Sequence, residues 1–184
     1  MKQALIFFSI IIVLTVLSSF SFQQKKKVIF FGDSITQAGV APNGYITVLQ
    51  QTLAQNGKDK NFELVGAGIG GNKVYDLYLR LEDDVLSKKP DLVFIYIGIN
   101  DVWHKRTHGT GTDADKFEKF YNKLIDKIQA AGAKVVICTP TVVGEKKDFV
   151  NELDGDLNKY AEIIRGIAKS RNVELIDLRK ATVG

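Results

Sequence analysis

Residues 28–34 read Val-Ile-Phe-Phe-Gly-Asp-Ser. Bulky β-branched and aromatic residues in unbroken succession suit a strand of a parallel sheet buried on both faces. The glycine and the short polar side chains after them suit a turn at the strand's carboxyl end. The pattern recurs down the chain, in the short apolar runs at 62–65, 92–97, 135–138 and 173–176.

Between these runs the apolar residues take up helical spacing. Tyr45, Val48, Leu49 and Leu53 share one face; so do Val74, Leu77, Tyr78, Leu81 and Val85. Phe117, Phe120, Tyr121, Leu124, Ile125 and Ile128 form a third stripe, stopped by Gly132, and Leu157, Tyr160, Ile163, Ile164 and Ile167 a fourth. Strands alternating with helices predict right-handed βαβ units and a three-layer α/β/α domain. After the fifth run the chain ends at Leu178-Arg179-Lys180-Ala181-Thr182-Val183-Gly184, where no helical pattern is evident.

The N-terminus is of another kind. Lys2 precedes an almost unbroken apolar run from Ala4 to Leu17, followed by Ser18-Ser19-Phe20-Ser21-Phe22. A charged start, a short apolar core and small residues at its end make a secretory signal peptide over residues 1–21, cut after Ser21. Residues 22–184 then form one domain, of ordinary globular size. The alternative is an uncleaved anchor over residues 4–22, but that run is at the short end for a membrane span. Lys25, Lys26 and Lys27 directly after it also disfavour export of the chain beyond an anchor.

The formal net charge of +4 is mild and the basic residues are interleaved with acids. A nucleic-acid partner would need a clustered basic face with aromatic partners, so none is expected. Contact with a membrane is expected only through the N-terminal segment. The single cysteine, Cys138, lies in the apolar run Val135-Val136-Ile137-Cys138 and reads as a small buried strand residue.

Open α/β sheets place their sites beyond the carboxyl ends of the strands. Those ends carry Gly32-Asp33-Ser34-Ile35-Thr36, then Gly66-Ala67-Gly68-Ile69-Gly70-Gly71-Asn72, then Gly98-Ile99-Asn100-Asp101. Beyond the signal segment the other serines, Ser87 and Ser170, sit on charged helical stretches. Ser34 alone would read as a helix N-cap. The run 66–71 is also a literal G-x-G-x-x-G. It comes after the second strand rather than the first, and no acidic residue ends the next strand, since Asp91 begins it, so a dinucleotide fold is the weaker reading.

Taken together, GDSITQ at 32–37, GIGGN at 68–72 and GIND at 98–101 resemble the first three blocks of the SGNH, or GDSL, hydrolase family. Their order and their places at successive strand ends make the resemblance specific, and it extends from about residue 28 to the C-terminus. The G-x-S-x-G elbow of α/β-hydrolases is absent. The resemblance implies a flavodoxin-like parallel five-stranded sheet in the order 2-1-3-4-5. It implies hydrolysis of a small carboxylic ester through an acyl-enzyme, without metal or other cofactor. Ser34 is the implied nucleophile. Gly71, or in the other register Gly70, gives an oxyanion-hole N–H, and Asn100 gives a side-chain amide. Gly70 departs from the small polar residue usual at its position. Asp33 and Asp101 are expected to orient loops.

The family's last block, Asp-x-x-His after the final strand, supplies the general base and its orienting acid. No such block comes after Ile176. The histidines are His104 and His108, and Asp101-Val102-Trp103-His104 is itself Asp-x-x-His, but on the loop of the third strand. Trp103 and His104 are therefore expected at the pocket rim, touching substrate. Carbohydrate O-acetyl groups and lipid acyl esters are both open as substrates. A non-catalytic ligand-binding member of the same fold is the competing class. A domain without the helix after strand five is also expected to leave the apolar surface of residues 28–31 and 92–97 open to water.

Overall fold

The computed structural model describes residues 24–144, 146 and 150–183. The expected signal segment and its cleavage point lie outside the described residues. Among these, no helix is long and apolar enough to cross a membrane.

Five parallel strands form one sheet in the order β2-β1-β3-β4-β5. They are β1 (Lys26–Gly32), β2 (Phe62–Gly68), β3 (Leu92–Tyr96), β4 (Lys134–Cys138) and β5 (Glu174–Ile176). The expected order is borne out. The sequential crossovers α3 (Val74–Asp84), α5 (Ala114–Ala130) and α6 (Asp154–Arg171) carry the second, third and fourth apolar stripes. These stripes pack on Ile29, Phe31, Val93, Ile95, Val135 and Ile137 to form the main core. The short α1 (Ser34–Gly39) follows β1, and on the opposite face α2 (Tyr45–Gln55) packs on Val28 and Phe30, with Ile46 as its buried residue. The short α4 (Ile99–Thr107) comes after β3.

Two expectations are corrected. The stretch after β5 does form a helix, α7 (Leu178–Val183). Asp177 sits just before it, and its Oδ1 accepts the Lys180 N–H at 3.2 Å. An aspartate at that place satisfies an otherwise orphaned helical donor and marks the start of the helix. The α2 stripe of Tyr45, Val48 and Leu49 is exposed rather than buried. No element among the described residues covers it, and together with Phe30, Phe94, Tyr96, Cys138, Ile176 and Leu178, Tyr45 and Leu49 line an apolar groove of about 500 Å³. The expected opening therefore exists, but it is shifted. Val28 and Phe30 are covered, while Leu92 and Phe94 are half-buried.

The register fixes where the site can be. Gly32 is paired with Gly68 on β2 and with Tyr96 on β3, so three strands end level and release their loops at one rim. Close packing there requires glycine. A Cβ on Gly68 would collide with the main chain of Thr36 and Gln37, and one on Gly32 with Thr36 and the Tyr96 carbonyl.

Candidate functional site

The chain leaves β1 at Gly32 and turns at once into α1, with Asp33 as its N-cap and Ser34 as its first residue. Asp33 is buried, and its Oδ1 accepts the Ile35 N–H at 3.0 Å. Burial pushes its carboxyl up to about 6. Its part is to shape the turn, and Ser34 is left exposed at the rim.

The loop after β2 bends round the end of β1. Ile69 donates its N–H to the Gly32 carbonyl at 3.2 Å, and Gly70 donates its N–H to Gln37 Oε1 at 2.9 Å. A Cβ on Gly70 would lie 3.9 Å from that of Ser34, so this loop passes directly beside the serine. Gly71 takes φ = 75°, a left-handed conformation that glycine adopts freely. Its carbonyl accepts from Lys73 Nζ at 2.9 Å. Its N–H donates to no acceptor among the described residues. The two registers open in the sequence thus differ here: the Gly70 N–H is engaged and the Gly71 N–H is free.

Asn100 enters from the third strand. Gly98, at φ = 131°, makes the turn out of β3, and Asn100 falls in the first turn of α4. It is buried, and Nδ2 donates to the Asn72 carbonyl at 3.0 Å. An amide nitrogen has two hydrogens, so one remains to donate. Next to it, Asp101 is fully buried, and its carboxylate accepts the Val74 N–H at 3.1 Å, which holds the start of α3. Burial pushes the Asp101 carboxyl up to about 7.

Trp103 and His104 come next on α4. Trp103 is 43% exposed. A Cβ on Gly71 would lie 3.5 Å from His104 Cε1, so the imidazole stands against the glycine loop. Burial, then the charge of Lys73 and the neighbouring His108, push its pKa below the ordinary value. No carboxylate hydrogen-bonds its ring among the described residues, whereas a triad base is held by such a group. Its Asp-x-x-His partner, Asp101, is turned to Val74 instead.

The residues quoted from the three blocks thus meet at one rim. Three others at the site carry no comparable mark in the sequence: Gln37, Lys73 and Arg80. Gln37 closes the GDSITQ block, which is its only signal. Nothing in the spacing marks Arg80, whose neighbours come from distant segments. Cys138 is buried, and burial pushes its thiol up to about 12, leaving it inert at neutral pH.

The model of the GDSL-like lipase/acylhydrolase family matches residues 30–184. An acetylxylan esterase of Geobacillus stearothermophilus is 29% identical over 175 residues, covering 85% of this chain and 77% of that protein. The crystal structure of an acetyl xylan esterase, AlAXEase, superposes with a TM-score of 0.84 at 62% identity, covering 85% of this chain and 79% of that one. Axe2, an acetylxylan esterase from Geobacillus stearothermophilus, gives a TM-score of 0.74 at 26% identity, covering 87% of this chain and 80% of that one. Its catalytic mutants replace a serine, a histidine or an aspartate by alanine.

Proposed function

Because this chain belongs to the GDSL-like lipase/acylhydrolase family and is an esterase by that membership, we propose that it removes acetyl groups from a carbohydrate, with acetylated xylo-oligosaccharides as the substrate class. The names of its relatives support the substrate class. The observation that carries the site is the meeting of an exposed Ser34, an unengaged Gly71 N–H and an Asn100 amide with one hydrogen to spare.

The roles derive from the charge that develops. Ser34 Oγ attacks the acetyl carbonyl carbon, and the carbonyl oxygen becomes an oxyanion. The Gly71 N–H and Asn100 Nδ2–H donate to it. Donors fixed in advance stabilise that oxygen more than the neutral carbonyl, which is where rate comes from. The ester C–O bond breaks, the proton given up by Ser34 Oγ passes to the departing sugar oxygen, and acetyl-Ser34 remains. Water then attacks the acetyl group and acetate departs. Trp103 offers a flat face to the sugar ring, and His104 borders the acetyl position.

A serine hydroxyl is a weak nucleophile without a base to take its proton. The Asp-x-x-His block that the family resemblance places after the last strand is not among residues 1–184. An exported location is part of the proposal and rests on the pattern of residues 1–21.

The test is acetate release from p-nitrophenyl acetate and from acetylated xylo-oligosaccharides, with Ser34→Ala beside the unaltered chain. Serine-dependent release from both supports the reading. Release that survives Ser34→Ala refutes the nucleophile. Release from the nitrophenyl ester alone refutes the substrate class.

A further inference from the structure

Arg80 lies on α3, outside the three blocks, with a side chain only 14% exposed. Its guanidinium is engaged on every side. Nη2 donates to the Gly32 carbonyl at 2.8 Å and to the Ala67 carbonyl at 3.1 Å. Nε donates to Asn72 Oδ1 at 2.7 Å. Nη1 donates to Asp84 Oδ2 at 2.6 Å. The plane lies over the Phe31 ring, 4.5 Å from its centroid.

We infer that Arg80 is a positioning residue of the esterase site, which sets the separation between Ser34 and the oxyanion-hole donors by tying the end of β1, the end of β2 and the Asn72 side chain to one rigid fork. Gly32 leads directly into Asp33 and Ser34. Ala67 leads into the loop that carries Gly70 and Gly71. Asn72 is the residue whose main-chain carbonyl receives Asn100 Nδ2. One planar cation thus touches the support of each reacting group and none of the groups themselves. The Gly32 carbonyl also accepts the Ile69 N–H, so the glycine loop and Arg80 converge on the same oxygen. Only arginine can do this. Its donors point in fixed, divergent directions, whereas a lysine ammonium at the same place is a compact point charge on a flexible stem. The inference rests on the oxyanion-hole reading above.

The bland alternative is an ordinary helical ion pair, since Arg80 and Asp84 are four residues apart on α3. Such pairs contribute little, and losing one would leave the site unmoved. Asp84→Ala separates the two accounts. It removes the pair and keeps the contacts to Gly32, Ala67 and Asn72.

The experiment uses the whole chain and two readouts. Amide exchange by mass spectrometry compares residues 68–72 with residues 92–96 of β3. Steady-state kinetics measure the part of p-nitrophenyl acetate turnover that Ser34→Ala removes. In Arg80→Lys, exchange over 68–72 should rise about tenfold or more while β3 is unchanged, as for a local opening. kcat should fall by roughly 10²-fold, the scale of a displacement near 1 Å, with KM within about twofold. Asp84→Ala should match the unaltered chain in both. If Arg80→Lys also loosens β3 and is simply unfolded, Asn72→Ala decides: it deletes one acceptor of the fork and should loosen 70–72 alone. Unchanged exchange over 68–72 in both Arg80→Lys and Asn72→Ala overturns the inference, as does loosened exchange with full kcat. Should no serine-dependent turnover exist, the functional reading fails and the exchange comparison alone judges Arg80.

Discussion

Replacing Arg179 with methionine tests how α7 is held to the domain. Methionine keeps much of the volume and removes the charge. Arg179 is 1% exposed, as is its partner Asp154 at the start of α6. Nη2 donates to Asp154 Oδ1 at 2.6 Å and to the Asp154 carbonyl at 3.2 Å. Nη1 donates to the Thr141 carbonyl at 2.9 Å, and Nε to Asn158 Oδ1 at 2.8 Å. The variant leaves those acceptors without this donor and the carboxylate buried without its counter-charge. Removing one partner of a buried ion pair costs about 3–5 kcal/mol. That is a large part of the roughly 5–15 kcal/mol that holds a typical domain. At about 2–4 °C per kcal/mol for a chain of this size, the melting temperature should fall by about 6–20 °C.

The same pair has a signature in pH. Burial alone would raise the Asp154 carboxyl, but the Arg179 guanidinium and the Asn151 N–H hold it below its ordinary value of 3.8. A depressed folded pKa gives stability that is present above the unfolded value and lost as pH falls through the folded one. The gap between the two proteins should therefore be full at pH 7 and narrow below about 3.8. The assay is thermal unfolding followed by circular dichroism over pH 3–8, with Asp154→Asn and the double variant completing a cycle. The double variant should recover part of the loss, because it no longer buries a lone charge. A melting temperature within about 2 °C of the unaltered chain, or a double variant no better than Arg179→Met, would refute the reasoning.

Asn100→Ala removes one donor to the oxyanion and should lower serine-dependent turnover by roughly 10²-fold; full turnover in purified, folded protein would sink the assignment. His104→Ala should keep most of that turnover, and its complete loss would make His104 the base. Asp101 is raised by burial to about 7 from 3.8, so the folded state holds its proton where the unfolded chain has lost it. Stability should thus decline as pH rises from about 4 to 7, by up to about 1.4 kcal/mol per unit from this group; Asp101→Asn should flatten that decline in urea titrations, and an identical slope would contradict it. The groove of about 500 Å³ should bind the dye ANS, and Leu49→Asp on its exposed wall should reduce the fluorescence without lowering stability; equal fluorescence would place the dye elsewhere.

The five apolar runs and the stripes of α3, α5 and α6 were legible because a strand buried on both faces and a helix buried on one leave repeating signatures. The three glycine-rich strand ends were legible for a similar local reason. A tight turn and a close approach restrict which residues can stand there, as Gly32, Gly68 and Gly71 do. The family resemblance carried by those strand ends put forward Ser34, Gly71 or Gly70, and Asn100 as site candidates.

Their surroundings were not legible. The exposure of the α2 stripe depends on what lies opposite it, and periodicity says only that a face is apolar, not that it has a partner. The start of α7 rests on an aspartate at the right offset, too brief a signal to outweigh a short polar tail. That the Gly70 N–H is engaged while the Gly71 N–H is not depends on one hydrogen bond to Gln37 Oε1, thirty-three residues away in the chain. The clamp of Arg80 reaches the Gly32 carbonyl across forty-eight residues. Such contacts are set by the strand register that levels Gly32 with Gly68 and Tyr96. Residue type limits what each position can do locally; only the packed sheet decides which distant groups it meets.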